Sequence, residues 1–351
     1  MLNSSLKILK FFPPELSHSI AISVLKYLTL KVDNIEDQSL SQHLVGLDFK
    51  NPIGLAAGFD KNAEVVKSMF SLGFGSVEVG TITPEPQIGN PKPRVFRLEK
   101  DNAIINSLGF NNKGSKKVRK NLLKIQKSFL RNRIIGVNLG KNRNSINDID
   151  DYLIGMEHLG TLASYITINI SSPNTEGLRD LQLRGNIEKL IKKIILKREQ
   201  IEDISKKPIF IKISPDLNED QLRDIALISL ANNIDGLILT NTTTMRPNNL
   251  LSNHKVNYGG LSGKPLFQTS NTILKKMYNL TNGQILLIGV GGIFSGSDCY
   301  EKIKSGASLL QLYTALTYSG PYLINNIKKE LVDLIKTDGY KNISEVIGKS
   351  V

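Results

Sequence analysis

The sequence predicts an α/β fold of the (βα)8 barrel class, the TIM barrel, preceded by a small N-terminal helical extension. After residue 50, short β-type runs alternate with helical patterns, which is typical of βαβ units around a parallel sheet. Eight such runs are present, and eight strands close this barrel. The chain of 351 residues exceeds the roughly 250 of a typical barrel, which leaves about 100 for extensions.

The eight predicted strands are short apolar runs that end in polar or glycine-containing segments. They cover residues 52–57, 76–80, 134–138, 165–170, 208–213, 234–240, 285–290 and 308–312. Between them, residues 186–198 place isoleucines and a leucine on one helical face and lysines on the other, which predicts an outer helix. The lysine-rich stretch 116–127 is interpreted in the same way, as a solvated helix face.

Residues 1–40 are predicted to form the helical extension, and residues 41–351 the barrel. Pro13, Pro14 and Glu15 form a helix-start signal, and the apolar residues that follow lie at i, i+4 spacing: Leu16, Ile20, Val24 and Leu28. Basic residues accompany them: Lys7, Lys10, Lys26 and Lys31. Two interpretations are open: an interfacial helix beside anionic lipid, or a helix packed across one end of the barrel.

The composition limits the possible partners and cofactors. The formal net charge of +13 indicates acidic partners, but charge alone does not choose among nucleic acid, a membrane surface and small anions. No basic patch interleaved with aromatic residues is evident, so we expect no nucleic-acid binding. The single cysteine, Cys299, excludes an internal disulfide and a four-cysteine metal site, and the four histidines show no ligand spacing, so no metal is predicted. We also find no signal peptide and no membrane span.

Polar or glycine-rich segments end or follow every predicted strand, at the end where a (βα)8 barrel carries its active site. They are residues 57–61, Thr81, Asn138, Asn169 with residues 171–174, Lys212, residues 240–242, residues 289–292, and Tyr313 with Thr314. Amides, hydroxyls and two lysines dominate, whereas carboxylates are scarce. Such a rim suits a planar, hydrogen-bonding, anionic ligand better than hydrolysis by a carboxylate pair. Three long connections, 82–110, 171–185 and 241–265, are predicted to build the site.

Individual rim residues allow a functional and a structural interpretation. The pair Gly291–Gly292 is usually a turn, but its place after the seventh strand indicates a phosphate site. Lys61 and Lys212 follow apolar strands, where a lysine either meets an anion or extends to the surface. Ser172 is either a turn residue before a proline or, because amides flank it, a candidate for proton transfer. Cys299 is predicted to be a small packed residue, and His18 a surface or hydrogen-bonded helix residue.

Four segments, 51–61, 106–112, 169–174 and 259–265, together resemble class 2, quinone-dependent dihydroorotate dehydrogenases, and the resemblance spans essentially the whole chain. Residues 14–18 are similar to the helical extension that separates class 2 from the soluble class 1 enzymes. The resemblance implies an FMN enzyme of pyrimidine biosynthesis that oxidises dihydroorotate to orotate and passes the electrons to a membrane quinone. Class 1 enzymes use cysteine as the base, whereas this chain has Ser172.

The resemblance also implies roles for particular residues. Ser172 matches the catalytic base. The positions that match substrate contacts are Lys61, Asn106, Ser107, Leu108, Gly109, Phe110, Asn169, Asn174, Asn241 and Thr242. The positions that match flavin contacts are Ala57, Gly58, Phe59, Asp60, Lys61, Thr81, Asn138, Asn169, Lys212, Thr240, Gly263, Gly292, Tyr313 and Thr314. Ser107 stands where arginine is common among relatives, which bears on quinone access, and Thr314 stands where serine is frequent.

Two other functions are compatible with such a barrel. A flavin enzyme that acts on tRNA, such as a dihydrouridine synthase, would fit the basic charge but should carry a rim cysteine and a tRNA-binding extension. A phosphate-binding barrel without redox chemistry would be colourless. Under the interpretation as a quinone-dependent enzyme, abundant Lys, Asn and Ile and the short N-terminus predict a bacterial protein. We expect it to bind peripherally to the cytoplasmic side of the inner membrane.

Overall fold

The predicted barrel is confirmed by the structure, a computed structural model that describes residues 11–27, 32, 34–125, 129 and 131–351. The strands in chain order are β1 (Gln42–Leu44), β2 (Leu47–Phe49), β3 (Ile53–Leu55), β4 (Ser76–Ile82), β5 (Val95–Leu98), β6 (Ala103–Asn106), β7 (Ile134–Leu139), β8 (Tyr165–Asn169), β9 (Ile209–Ile213), β10 (Gly236–Leu239), β11 (Gly260–Gly263), β12 (Leu286–Val290) and β13 (Leu309–Leu312). The eight predicted strands are β3, β4, β7, β8, β9, β10, β12 and β13, and they pair in this order, all parallel, into a closed barrel.

The helices of the described residues surround the barrel or cross its open end. They are α1 (Pro14–Tyr27), α2 (Val66–Ser71), α3 (Ser115–Leu123), α4 (Asp148–Leu159), α5 (Arg184–Gln200), α6 (Glu219–Ala231), α7 (Phe267–Leu280), α8 (Gly296–Lys304), α9 (Thr314–Ser319) and α10 (Leu323–Thr337). In α5 the predicted apolar stripe is buried at Ile187, Leu190, Ile191 and Ile194, because this face packs on the core while the lysines stay in water. The predicted lysine-rich helix is α3, and residues 126–128 lie outside the described part of the chain.

A hairpin closes the amino-terminal end of the barrel. Strands β1 and β2 pair antiparallel around a turn at Val45 and Gly46, both with positive φ. Leu44, Val45 and Leu47 pack on a buried cluster that includes Phe49, Tyr165 and Phe210 at or near the starts of the barrel strands. Because these residues cover this end, we expect a ligand to bind at the carboxyl ends of the strands.

Two of the predicted long connections contain strands that the sequence did not reveal. Strands β5 and β6 lie in the connection 82–110, β11 lies in the connection 241–265, and the three form an antiparallel sheet in the order β11, β6, β5. The interpretation of these segments as loops was therefore wrong in part. The missed strands have only four residues each, and β11 pairs with a strand more than 150 positions away, which no local pattern reveals.

Helix α1 lies beside β5 and across the open end of the barrel. The carboxylate of Glu15 accepts a hydrogen bond from Arg94 Nη2 at 2.6 Å, and Arg97 Nη2 contacts Ser17 Oγ at 2.7 Å. Leu16 and Val24 on the same helix are exposed. Leu28, Lys7, Lys10 and Lys31, which the sequence assigned to this extension, lie outside the described residues. In the part of the chain that is described, no helix combines the length and apolarity needed to cross a bilayer.

Candidate active site

A cavity of about 870 Å³ opens at the carboxyl end of the barrel and continues beneath α1. This volume lies in the range of small-molecule and cofactor sites. Most of the residues predicted from the sequence share its wall: Ala57, Gly58, Phe59, Lys61, Thr81, Asn106, Leu108, Gly109, Phe110, Asn169, Ser172, Asn174, Lys212, Thr240, Asn241, Thr242, Gly263, Gly292, Tyr313 and Thr314. The fold thus brings together side chains that are up to about 250 positions apart in sequence, because most of them end or follow parallel barrel strands and the others come from or follow the sheet of β5, β6 and β11.

Three predicted residues, Asp60, Ser107 and Asn138, do not form part of the cavity wall. Asp60 is buried, its carboxylate accepts the backbone N–H groups of Glu64 and Val65 at 2.8 Å, and burial raises its pKa. Ser107 forms backbone hydrogen bonds only, from its N–H to Arg94 O and from Asn90 Nδ2 to its carbonyl. Asp60 and Ser107 therefore hold the loops that carry other site residues, and neither places its side chain on the cavity wall.

Asn138 belongs to a hydrogen-bonded chain inside the barrel. Asn169 Nδ2 donates to Thr81 Oγ1 at 2.9 Å, Thr81 Oγ1 donates to Asn138 Oδ1 at 2.7 Å, and Asn138 Nδ2 donates to Glu78 Oε1 at 2.7 Å. Each amide is therefore oriented by its neighbour, and Asn169 and Thr81 are presented to the cavity in one arrangement. Asn138 positions these two residues from behind.

Glu78 is the buried charge that anchors this chain, and the sequence analysis missed it. Its second oxygen, Oε2, accepts hydrogen bonds from Tyr165 OH at 3.1 Å, Thr167 Oγ1 at 3.0 Å and Gln311 Nε2 at 2.8 Å. A buried carboxylate is costly unless it is hydrogen-bonded or paired, and here four donors satisfy it. A glutamate in the middle of an otherwise apolar strand was the signal that could have revealed it.

Two lysines face the cavity without a carboxylate partner. Lys212 is only 5% exposed and Lys61 is half-buried, and neither forms an ion pair within 4.0 Å among the described residues. Burial lowers the pKa of Lys61 to about 8, and it also lowers the pKa of Lys212. Since unpaired buried cations are unfavourable, this cavity is suited to an anionic or electron-rich ligand.

Ser172 lies among amide groups, with its hydroxyl oxygen buried in the cavity wall. The backbone N–H of Asn174 donates to Ser172 Oγ at 3.2 Å, and Asn174 Nδ2 donates to Asn106 O at 3.0 Å. Nearby, Asn241 Nδ2 donates to Ser171 Oγ at 2.9 Å, which in turn donates to Asn169 Oδ1 at 2.8 Å. Ser172 is thus adjacent to a preorganised network of hydrogen-bonding side chains that runs through Ser171.

Several buried acceptors in the wall have no hydrogen-bond partner among the described residues. They are Asn174 Oδ1, Asn111 Oδ1 and Gln311 Oε1. Asn111 and Gln311 were not predicted as site residues, although each is a polar residue beside an apolar run. Because an unpaired buried acceptor is unfavourable, these oxygens indicate that a ligand with N–H or O–H donors completes the site.

The glycines on the opposite wall have backbone conformations and close contacts that side chains do not tolerate. Gly291 has φ +112° and Gly292 has φ +77°, and a Cβ on Gly292 would lie 2.6 Å from Phe267 Cα. Gly263 has φ +98°, and a Cβ there would lie 2.3 Å from Asn102 O. Close backbone approach of this kind is what phosphate recognition by main-chain N–H groups requires.

The cavity mouth beneath α1 is aromatic. The His18 ring lies 5.3 Å from the Phe59 ring and 6.3 Å from the Tyr313 ring, measured between centroids. Burial lowers the pKa of His18 to about 3, so the imidazole is neutral at physiological pH. His18 forms part of the cavity wall, with its Nδ1 3.5 Å from Tyr313 OH, so the surface interpretation was wrong and the structure agrees with that of a hydrogen-bonded helix residue.

Comparisons with known proteins agree with this site. The family model described as dihydroorotate dehydrogenase matches residues 39–335. The chain is 47% identical to dihydroorotate dehydrogenase (quinone) of Bartonella tribocorum, over 95% of this chain and 92% of that protein. It is 43% identical to the mitochondrial dihydroorotate dehydrogenase (quinone) of Mus musculus, over 97% of this chain and 87% of that protein.

A solved structure shows the same architecture. The crystal structure of DHODH in complex with ferulenol from Eimeria tenella superposes with a TM-score of 0.92 at 42% identity, over 96% of this chain and 95% of that chain. Fold, motifs and relatives agree over nearly the whole length, which confirms the resemblance that the sequence motifs indicated. This chain therefore belongs to the dihydroorotate dehydrogenase family.

Proposed function

We propose that this chain oxidises dihydroorotate to orotate with FMN as its bound cofactor and passes the electrons to a membrane quinone. The observation that carries the proposal is the continuity of the cavity, which joins Ser172 and its amides to two unpaired lysines and to the aromatic mouth under α1. The family and the quinone-dependent relatives support the same reaction.

The residues present fit FMN. Gly263, Gly292 and Thr314 would hold the phosphate, because the two glycines allow close backbone approach and Thr314 begins α9 in the same part of the wall. The residues that would surround the ring system are Ala57, Gly58, Phe59, Thr81, Asn169, Lys212, Thr240 and Tyr313. When bound, FMN supplies the acceptor for the hydride that leaves carbon 6 of dihydroorotate.

Lys61 and the amides would bind dihydroorotate. The ammonium group of Lys61 would pair with the substrate carboxylate, which supplies the counter-charge that the described residues do not. Asn174 Oδ1 has no hydrogen-bond partner among the described residues, so it would accept a ring N–H, and Asn106 and Asn241 would fix the ring from either side. The predicted contacts of Leu108, Gly109, Phe110 and Thr242 would enclose the substrate, since all four form part of the wall.

Ser172 would act as the base that takes the proton from carbon 5. Loss of this proton and of the carbon 6 hydride leaves the carbon 5–carbon 6 double bond of orotate. A serine hydroxyl is a weak base, so negative charge on its oxygen must be stabilised. The Asn174 N–H that donates to Ser172 Oγ supports this, because a hydrogen bond to an oxygen strengthens as the oxygen becomes anionic.

Quinone would enter through the mouth beneath α1. His18, Phe59 and Tyr313 form an aromatic surface there, and α1 separates it from solvent. The exposed Phe11 and Leu16 and the net charge of +13 support peripheral attachment to an anionic membrane, which we assign to the cytoplasmic side of a bacterial inner membrane.

The test is the visible spectrum of the purified protein under anaerobic conditions, before and after dihydroorotate is added. We expect a flavin band that bleaches with the substrate and returns when a soluble quinone follows. A flavin band that dihydroorotate does not bleach would exclude this substrate. A colourless protein that stays colourless with added FMN would favour a non-redox phosphate-binding barrel.

The structure gives no support to the tRNA-directed alternative. Cys299, the only cysteine of the chain, is fully buried in α8 and is not part of the cavity wall. Burial raises its pKa well above the usual value, so it is unsuited to act as a rim acid. The prediction that Cys299 is a small packed residue is confirmed.

A further inference from the structure

A buried lysine stands behind the glycine pair that the proposed function assigns to the phosphate. Lys302, on α8, has no exposed surface. Its Nζ donates to Ser270 Oγ at 2.6 Å and to Asn271 Oδ1 at 2.7 Å, and it lies 4.9 Å from the centroid of the Phe267 ring. Two neutral oxygens and an aromatic face thus surround the ammonium group, an arrangement suited to its charged form.

The charge of Lys302 has no direct counter-ion among the described residues. No carboxylate of the described part of the chain lies within 4.0 Å of its Nζ, and the link to Glu301 runs through Asn271, whose Nδ2 donates to Glu301 Oε1 at 3.0 Å. Burial lowers the pKa of Lys302 to about 7, whereas Cys299, Glu301 and Asp298 oppose this effect. A cation at this depth is retained more favourably when an anion binds nearby.

Ser270 connects Lys302 to the glycine pair. Its hydroxyl approaches Gly291 O at 3.2 Å and Phe267 O at 2.9 Å, so it joins the first turn of α7 to the loop after β12. The Gly291–Gly292 peptide is trans, and in a trans peptide the carbonyl and the following N–H point in opposite directions. Because Ser270 holds the Gly291 carbonyl on the α7 side, the N–H of Gly292 is directed away from α7.

We propose that Lys302 is a positioning residue for the phosphate monoester of the flavin. Its positive charge adds to the attraction that the main-chain N–H groups of the Gly291–Gly292 segment exert on the phosphate. Ser270, which contacts both Lys302 and Gly291, keeps that segment in its anion-binding orientation. A phosphate monoester carries a charge of about −1.5 to −2 at pH 7, so it supplies the missing negative charge. The inference rests on the proposed binding of FMN. It adds two residues, Lys302 and Ser270, that do not form part of the cavity wall.

The test compares FMN with riboflavin, which has the same ring system and no phosphate. The full chain, stripped of flavin, is titrated with each ligand and flavin fluorescence is followed. Lys302→Met retains most of the length of the side chain and removes its charge. We expect its affinity for FMN to fall on the order of tenfold and its affinity for riboflavin to change less than about twofold. Lys302→Arg, which keeps the charge, should recover part of the loss.

Lys328→Met is the matched control. Lys328 is also a buried lysine with a neutral partner, since its Nζ donates to Ile35 O at 2.7 Å, but it lies on α10 and does not touch the cavity wall. Its replacement should lower thermal stability and leave the ratio of FMN affinity to riboflavin affinity unchanged.

Equal weakening of FMN and riboflavin in Lys302→Met would overturn the inference, because it would assign Lys302 to packing alone. If that variant does not fold, Ser270→Ala decides: a lower ratio of FMN to riboflavin affinity supports the inference and an unchanged ratio overturns it. A wild-type protein that binds neither flavin would instead refute the proposed function. The two failures are therefore distinguishable.

Discussion

Ser172 is the residue on which the proposed chemistry depends. It is only 6% exposed, and a backbone N–H holds its oxygen in place. Ser172→Ala should retain FMN but slow the reduction of the flavin by dihydroorotate by about 10²- to 10⁴-fold, which is the usual contribution of a positioned base. Anaerobic stopped-flow absorbance measures this rate directly.

Ser214→Ala is the matched control for this prediction. Ser214 is buried, and its Oγ accepts the N–H of Asp216 at 3.1 Å, the same local geometry as Ser172, but it does not form part of the cavity wall. It should reduce flavin at the wild-type rate. Full activity of Ser172→Ala would remove Ser172 from the mechanism.

Lys61 predicts a specific pH dependence of substrate binding. Burial lowers its pKa to about 8 in the free enzyme, and only the protonated form pairs with the substrate carboxylate. The affinity for dihydroorotate should therefore be constant below this pKa and fall about tenfold per pH unit well above it. The rate of flavin reduction at saturating substrate should rise with pH instead, because the base must lose its proton.

The measurement is the apparent dissociation constant of dihydroorotate from stopped-flow titrations between about pH 6 and about pH 10. Lys61→Met removes the titrating group, so it should bind substrate weakly and lose the alkaline decline. A wild-type affinity that stays constant across this range would contradict the assignment of Lys61 to the carboxylate.

Among the elements, α1 is connected to the substrate side of the cavity by a chain of hydrogen bonds. Arg94, only 4% exposed, donates to Glu15 on α1 and, through Nη1, to Ile88 O and Asn90 O at 2.7 Å. Asn90 Nδ2 then donates to Ser107 O at 2.9 Å and Asn174 O at 3.2 Å. The helix that covers the mouth is therefore linked to the backbone that carries the substrate amides.

Glu15→Gln should loosen this connection, because the buried guanidinium loses its charged partner. We expect the reoxidation of reduced flavin by quinone to slow about three- to tenfold, with a smaller change in reduction by dihydroorotate. Stopped-flow measurement of the two half-reactions separates these effects. Lys26→Gln is the control, since its pair with Glu64 is long, 3.7 Å, and the lysine side chain is half exposed. Equal effects of the two variants would refute the special role of Glu15.

For the whole molecule, net charge and exposed apolar residues together predict how the protein meets a membrane. Phe11 is 89% exposed and Leu16 is 47% exposed, and neither forms part of the cavity wall. Phe11→Asp with Leu16→Asp should weaken flotation with anionic lipid vesicles and spare flavin reduction by dihydroorotate. Added salt should weaken the flotation of the wild-type protein as well.

Val256→Asp controls for the added charge, because Val256 is 84% exposed but lies outside α1. It should float like the wild-type protein. If the double variant also floats normally, Phe11 and Leu16 are not the membrane contact. Deletion of residues 1–40 removes α1, which covers the proposed quinone entrance, so it should impair quinone turnover and spare flavin reduction by dihydroorotate.

Much of the fold and of the site could be predicted because both follow from local order along the chain. The eight barrel strands are short apolar runs that the sequence shows directly. The residues after them must share one end of a parallel barrel. Asn169, Ser172 and Lys212 could therefore be placed together before any contact was known. Asn111 and Gln311 were missed, since a single polar residue beside an apolar run has many ordinary explanations.

The sequence by itself determined the barrel, its open end and the polar residues around that end, because strand period and chain order are local properties. Only the tertiary structure decided which distant groups satisfy one another. The pairing of β11 with β6, the four donors around Glu78 and the contacts of Ser270 with Lys302 and Gly291 all join residues that are distant in the chain. Such contacts depend on how whole elements pack, and burial then selects the partners that each polar group finds.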